Sequence, residues 1–258
     1  MSYFTHADHE MLTRPYAQIK SLPVYDKLWN LHLNLRDRIR MHDWDLHPHW
    51  RKSQIITGTS SAVTSESPDL LTLSYFRCYE QARLVEGLMG FEQAGGDHEA
   101  QPSRHPVIEV RLTPEHFVVE LVLSPAAWWD QQNFIGKIDL QRHRDGLRRL
   151  LYRLDGDYRF GYWSGAHLSD MHLTTWQLLH GRVLEEWIDT FADGQDWLRL
   201  GVWYEPESPA LSADYIAHET ATRIGELYNV YDFLLWTSNN NYHDFYHKRE
   251  KYSRRMYA

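Results

Sequence analysis

The chain has 258 residues, with 27 Lys and Arg against 35 Asp and Glu, for a formal net charge of −8. That length is enough to bury a sizeable core, as one large domain or two small ones, and 43% apolar with 24% charged residues describes a globular chain, not a disordered one. The negative balance opposes general adhesion to nucleic acid or anionic membrane, and no run approaches the ~18 apolar residues of a membrane span.

The single cysteine, Cys78, excludes an internal disulfide and suits a reducing compartment. The opening MSYFTHADHE is acidic and polar, unlike a signal peptide. A cytoplasmic protein with no membrane association is therefore the expectation. The unusual feature of the composition is its 16 His, 11 Trp and 16 Tyr.

In chain order, residues 6–20 suit a short helix interrupted by Pro15. Val24, Leu28, Leu31, Leu35 and Ile39 keep helical spacing, which predicts a helix over 24–41. HDWDLHPHW follows as a loop broken at Pro48. Short strands are expected over 53–59 and 70–79, separated by the polar loop TSSAVTSESPD, and a helix over 80–89. Gly95-Gly96 and two prolines mark 91–106 as a loop or boundary. After a central hairpin, a helical turn is expected over 125–130 and a helix over 137–154. A strand follows over 157–163, then a helix over 174–191 with Trp176, Leu179, Val183, Trp187 and Phe191 as its apolar stripe. A strand over 197–204 and a long helix from an N-cap at Ser212 to about Trp236 complete the set; Ile216, Ile224, Leu227, Tyr231 and Leu234 are its buried positions.

The hairpin is VIEVRLTPEHFVVELVLSP, residues 107–125. Alternation puts Ile108, Val110 and Leu112 on one face, with Phe117, Val119, Leu121 and Leu123. Thr113-Pro114-Glu115-His116 supplies the turn. Pairing Leu112 with Phe117 satisfies all seven apolar positions at once, and a one-residue slip destroys the match. The same register sets Glu109 opposite Glu120, an unfavourable pair unless something neutralises it. Arg111, diagonal to Glu120, and water would suffice on a solvated face. A metal, a cationic ligand or a base from another strand is the functional alternative. Glu109, Glu120 and Arg111 are therefore candidate catalytic residues.

Helices and strands interleave, but the clearest pair is antiparallel. This favours an α+β fold, with a mostly antiparallel sheet of four to six strands and helices packed on one face. One domain is expected over 1–236, followed by a basic, aromatic tail over 237–258. The order of elements resembles that of the YktB-like family of uncharacterised bacterial proteins. The similar parts are YFTHADHE, the hairpin from His105-Pro106 through Ser124, and the helix leading to Gly156-Asp157-Tyr158 and SGAHLSD. The resemblance covers about half of the chain and implies an α+β fold with a curved antiparallel sheet. It implies no activity.

Histidine with carboxylate is the ligand chemistry of divalent-metal sites. His42, Asp45, His47 and His49 fall within eight residues, and His167, Asp170 and His172 form a second set. Sixteen histidines placed at random would give about four or five pairs within five positions. Five occur, at 6/9, 42/47, 47/49, 167/172 and 243/247, so the pairs alone carry no signal, and only the added aspartates and loop placement lift the 42–49 segment. Gly161-Tyr162-Trp163-Ser164-Gly165 is one residue short of a nucleophile elbow, and no Gly-rich dinucleotide fingerprint exists. Cys78 reads as a small core residue.

Two adjacent indoles cannot both face one core, so Trp128 and Trp129, with Trp163, are candidate ligand-binding aromatics. In the tail, Lys248, Arg249, Lys251, Arg254 and Arg255 interleave with tyrosines, a pattern that grips single-stranded nucleic acid. The leading expectation is a protein that binds a small molecule or protein partner through a polar, aromatic cleft bordered by the hairpin. A metal-dependent hydrolase is the alternative, and a nucleic-acid-associated protein acting through the tail is the second.

Overall fold

The computed structural model describes residues 1–14, 16–20, 22–61, 70–91, 100–162 and 173–242. The N-terminal segment forms α1 (His6–Glu10), a 3₁₀ turn and α2 (Tyr16–Ile19). α3 (Pro23–Met41) starts with proline at its first position, where the missing N–H costs nothing. It buries Val24, Leu28, Leu31, Leu35 and Ile39, the stripe its spacing predicts.

β1 (His47–Pro48) and β2 (Ile56–Thr57) both pair with the same edge of β3 (Leu71–Phe76), through His47 with Phe76 and Ile56 with Leu73. The expected loop at 42–49 thus contributes two residues to the sheet, and of the expected strand at 53–59 Ile56 and Thr57 are strand, after a 3₁₀ turn at Lys52–Gln54. α4 (Tyr79–Leu88) follows. β4 (Val107–Leu112) and β5 (Phe117–Leu123) form the hairpin in the predicted register, Leu112 opposite Phe117 and Glu109 opposite Glu120. Thr113 closes its turn: the Thr113 N–H donates to the His116 carbonyl at 2.9 Å, and the Thr113 hydroxyl oxygen accepts from the His116 N–H at 2.9 Å.

One expected helix proves to be two, and one expected helical turn proves to be a helix of its own. The stretch expected as a turn and one helix is α5 (Trp128–Ile138) and α6 (Gln141–Tyr152), parted by Leu140 in extended conformation. Each then turns its own apolar pair inward, Phe134 with Ile138 and Leu147 with Leu151. After β6 (Arg159–Tyr162) and β7 (Leu173–Thr174), the single helix expected over 174–191 is α7 (Thr175–Leu178) and α8 (Val183–Ile188). Gly181 at φ 59° lies between them, a left-handed residue of the kind that ends helices. The helical phase is lost there, so Trp176 points to solvent instead of the core. β8 (Leu198–Tyr204) and α9 (Ile216–Leu234) complete the fold, and α9 buries all five positions expected of it.

The fold is α+β. The sheet runs β1-β3-β4-β5-β8-β6-β7, with β2 also on β3 and every pairing antiparallel. Its eight strands exceed the expected four to six because three are two-residue edge pairings. α9 crosses β4 and β5 and is flanked by α3, α5 and α6. One apolar core runs from Phe4 to Leu235 and includes all seven hairpin positions. Beyond α9, the Asn133 side chain on α5 donates to the carbonyls of Leu234 and Asn240 and accepts from the Tyr242 N–H at 3.0 Å. Residues up to 242 are thereby docked on the helical layer. Among the described residues no helix is long and apolar enough to cross a membrane.

Candidate functional site

Alternation along the hairpin predicts one wet face, yet every residue of β4 and β5 is buried. Glu109 and Glu120 are therefore not surface carboxylates, and water does not neutralise them. A base from another strand does. β8 pairs with β5 so that Val122 faces Arg199 and Glu120 faces Gly201. The Arg199 Nε donates to Glu120 Oε1 at 2.9 Å and its Nη2 to Oε2 at 3.1 Å. Arg111 adds a bond from Nη2 to Oε2 at 2.6 Å. Glu120 thus accepts three charge-assisted bonds, the arrangement that makes a buried carboxylate tolerable.

Glu109 is held differently. Its Oε1 accepts from the Ser61 N–H at 2.8 Å and its Oε2 from the Ser60 hydroxyl. Ser74 on β3 stands 3.5 Å away, and the Arg111 Nε lies 3.8 Å from Oε2, outside hydrogen-bond range. Burial pushes the Glu109 carboxyl above its ordinary range, against the opposing pull of Arg111, Ser60 and Ser61. Gly201 allows strands β5 and β8 to close over this network, because a Cβ there would lie 2.5 Å from the Val119 carbonyl oxygen and 2.8 Å from Glu120 Cα.

A cleft of about 340 Å³ opens beside Glu109. Thr57, Thr59, Ser60, Ser61, Ser74 and Ser103 line it with His49 and Gln54, and Gln54 Oε1 is buried with no hydrogen-bond partner. Ser60, Ser61 and Ser74 both line the cleft and surround Glu109, so these three residues stand between the cleft and the buried ionic face. A groove of about 700 Å³ borders the same segment, with Trp29, Trp50 and Tyr79 on its walls and Arg36 and Lys52 beside them. His49 lines both spaces.

The histidine cluster does not assemble. His42 stacks on Trp44 at 4.6 Å, His47 pairs with Asp45 at 2.8 Å, and buried His49 lies tilted against Trp50 at 4.3 Å while its Nδ1 accepts from the Arg51 N–H. Each imidazole is taken by a ring neighbour or a single carboxylate. Among the described residues no three His, Cys, Asp or Glu side chains gather as a metal would require, and His42, Asp45, His47 and His49 are not brought together there. His167, Asp170 and His172 lie outside the described residues, as do Trp163 and the basic set Lys248, Arg249, Lys251, Arg254 and Arg255.

Trp128 is exposed and Trp129 half-buried, packed between Trp128 and Trp236 at 5.7 and 5.9 Å. Neither lines the cleft or the groove. The aromatic walls of the groove are instead Trp29, Trp50 and Tyr79, which come from α3, the 47–55 segment and α4. Cys78 sits at the start of α4, where burial raises its thiol pKa.

A second buried polar cluster ties the layers together. Arg77, at the end of β3, pairs with Asp130 on α5, and Asp130 also accepts from the Trp236 N–H at 2.7 Å. Nearby, Glu86 accepts from the Gln101 N–H at 2.7 Å and lies 3.3 Å from His105. Both His105 ring nitrogens, Arg77 Nε and Asp130 Oδ2 are buried without hydrogen-bond partners.

Arg199 is the functional-face residue that sequence reasoning missed. The signal was present: in LRLGVWY, Arg199, Gly201 and Trp203 alternate against Leu198, Leu200 and Val202. Which strand they face depends on a pairing across the 74 residues between Leu123 and Leu198. No family model matches this chain, and no curated protein matches it.

Proposed function

We propose that the protein binds a small, uncharged polar molecule in the cleft beside Glu109. The observation that carries this reading is the composition of the walls. Side-chain hydroxyls, Gln54 and His49 line a space of about 340 Å³ with no Asp, Glu, Lys or Arg among them. That size is at the small end of ligand sites. Hydroxyls both donate and accept, and Gln54 Oε1 offers an unused acceptor. The matching ligand carries hydroxyl or amide groups, such as a sugar or a nucleoside. The buried Glu–Arg network beneath keeps Ser60, Ser61 and Ser74 in place, which lowers the ordering cost of binding.

The test is a thermal-shift screen against monosaccharides, nucleosides and small amides. A ligand at about one hundred times its Kd stabilises the fold by about 2.7 kcal/mol. The Ser103→Trp variant, which fills the cleft, should melt like the parent protein and lose that shift. Absence of any shift, or a shift that survives in Ser103→Trp, would refute the reading.

A further inference from the structure

α6 and α7 present a surface with no part in the cleft or the ionic face. Two depressions adjoin there and share Tyr152 and Leu179. The first, about 250 Å³, has Tyr152 and Trp176 on its walls. The second, about 470 Å³, is bordered by Arg148, Arg149 and Arg153. Tyr152 is 80% exposed and Trp176 73%. Large rings standing in water contribute little to a folded monomer and commonly mark a contact surface. The His180 ring lies tilted beside Trp176 at 6.2 Å.

The cations divide into two kinds. Arg148 is committed to the fold, with its Nη2 against both carboxylate oxygens of Glu185 and bonds to the carbonyls of Leu179 and Gly181. Arg149 and Arg153 are exposed, and their guanidiniums make no hydrogen bond or ion pair among the described residues. A slot with aromatic walls beside two uncommitted guanidiniums matches a ligand that repeats a flat ring and a phosphate. A duplex keeps its rings stacked inside, so the strand must be single.

We propose that this surface binds single-stranded nucleic acid, with a base against Tyr152 and Trp176 and backbone phosphates on Arg149 and Arg153. The site is separate from the cleft beside Glu109 and stands whether or not that cleft binds a ligand. The net charge of −8 keeps the contact local and makes it sensitive to salt.

The experiment is fluorescence anisotropy of a fluorescein-labelled oligothymidylate titrated with the full chain over a series of salt concentrations. Saturable binding that weakens with salt is expected. Trp176→Ala and Tyr152→Ala should each weaken it by about 5- to 100-fold, the worth of one stacked base. Arg149→Gln and Arg153→Gln should each lower the slope of log affinity against log salt by about 0.7. All four positions are exposed, so melting temperatures should not move. No binding, equal binding of a duplex of the same length, or binding that survives in Trp176→Ala and Tyr152→Ala would overturn the proposal. Trp176-dependent attachment to phosphatidylserine vesicles without oligonucleotide binding would also overturn it and assign the surface to a membrane.

Discussion

Glu109 and Glu120 face each other across one hairpin, are equally buried, and should respond oppositely to loss of charge. In Glu120→Gln, one carboxylate oxygen becomes an amide NH₂. If the amide nitrogen takes the Oε2 position, it meets two donors, Arg111 Nη2 at 2.6 Å and Arg199 Nη2 at 3.1 Å. The flipped amide meets Arg199 Nε at 2.9 Å. Either way a donor faces a donor, and two buried guanidiniums lose their shared counter-charge. Breaking a buried ion pair from one side costs about 3–5 kcal/mol, a large part of a typical total of about 5–15 kcal/mol. In Glu109→Gln the amide oxygen still accepts from the Ser61 N–H, and the Ser60 hydroxyl rotates to accept from the new NH₂. The cost should stay below about 1.5 kcal/mol. It should also change with pH. Burial raises the Glu109 pKa, so above the ordinary carboxylate range the folded chain retains a proton that the unfolded chain has released. Wild-type stability then falls as pH rises towards the raised value, by about 1.4 kcal/mol per pH unit. Glu109→Gln escapes that loss and gains on the wild type across the window. Urea unfolding from pH 4.5 to 8 measures both effects, with an expected midpoint drop of about 1–2 M for Glu120→Gln at unchanged slope. Equal losses in the two variants, or a Glu120→Gln change below about 1 kcal/mol, would refute the assignment of roles.

The remaining predictions concern the frame around this face. Gly201→Ala should cost more than about 3 kcal/mol, because backbone atoms of Val119 and Glu120 obstruct the new methyl; Gly156→Ala, which meets open space, should be neutral in the same melting assay. His32 is buried against the Tyr75 hydroxyl, and burial, aided by the charge of Arg36, holds its pKa down to about 4. The unfolded chain takes up this proton as pH falls through 6.5 and the folded chain does not, so stability present above 6.5 is lost towards pH 4. His32→Gln should flatten that acid limb by several degrees in melting temperature. In Gly136→Ala the methyl would occupy the place of the Tyr242 ring, so residues 237–242 should undock from α5 and become open to limited proteolysis, while the helix itself gains about 0.8–1 kcal/mol of intrinsic propensity.

Local pattern was enough for much of this molecule. Seven apolar residues at period two admit one register, and the hairpin has it. The stripes of α3 and α9 likewise identify their buried faces, because a 3.6-residue period leaves one side for the core. The opposition of Glu109 to Glu120 follows from the same register and was legible for that reason. Patterns failed where a backbone conformation interrupts the period: left-handed Gly181 parts α7 from α8, and Trp176 stands in solvent. They failed again where partners are distant in the chain. Nothing local to β5 says that both its faces are covered, that Arg199 arrives from β8 to hold Glu120, or that Ser60 and Ser61 close on Glu109 from a loop before β3. Periodicity reports which side of an element is apolar; only the packing of non-adjacent strands decides whether the polar side meets water or a buried countercharge.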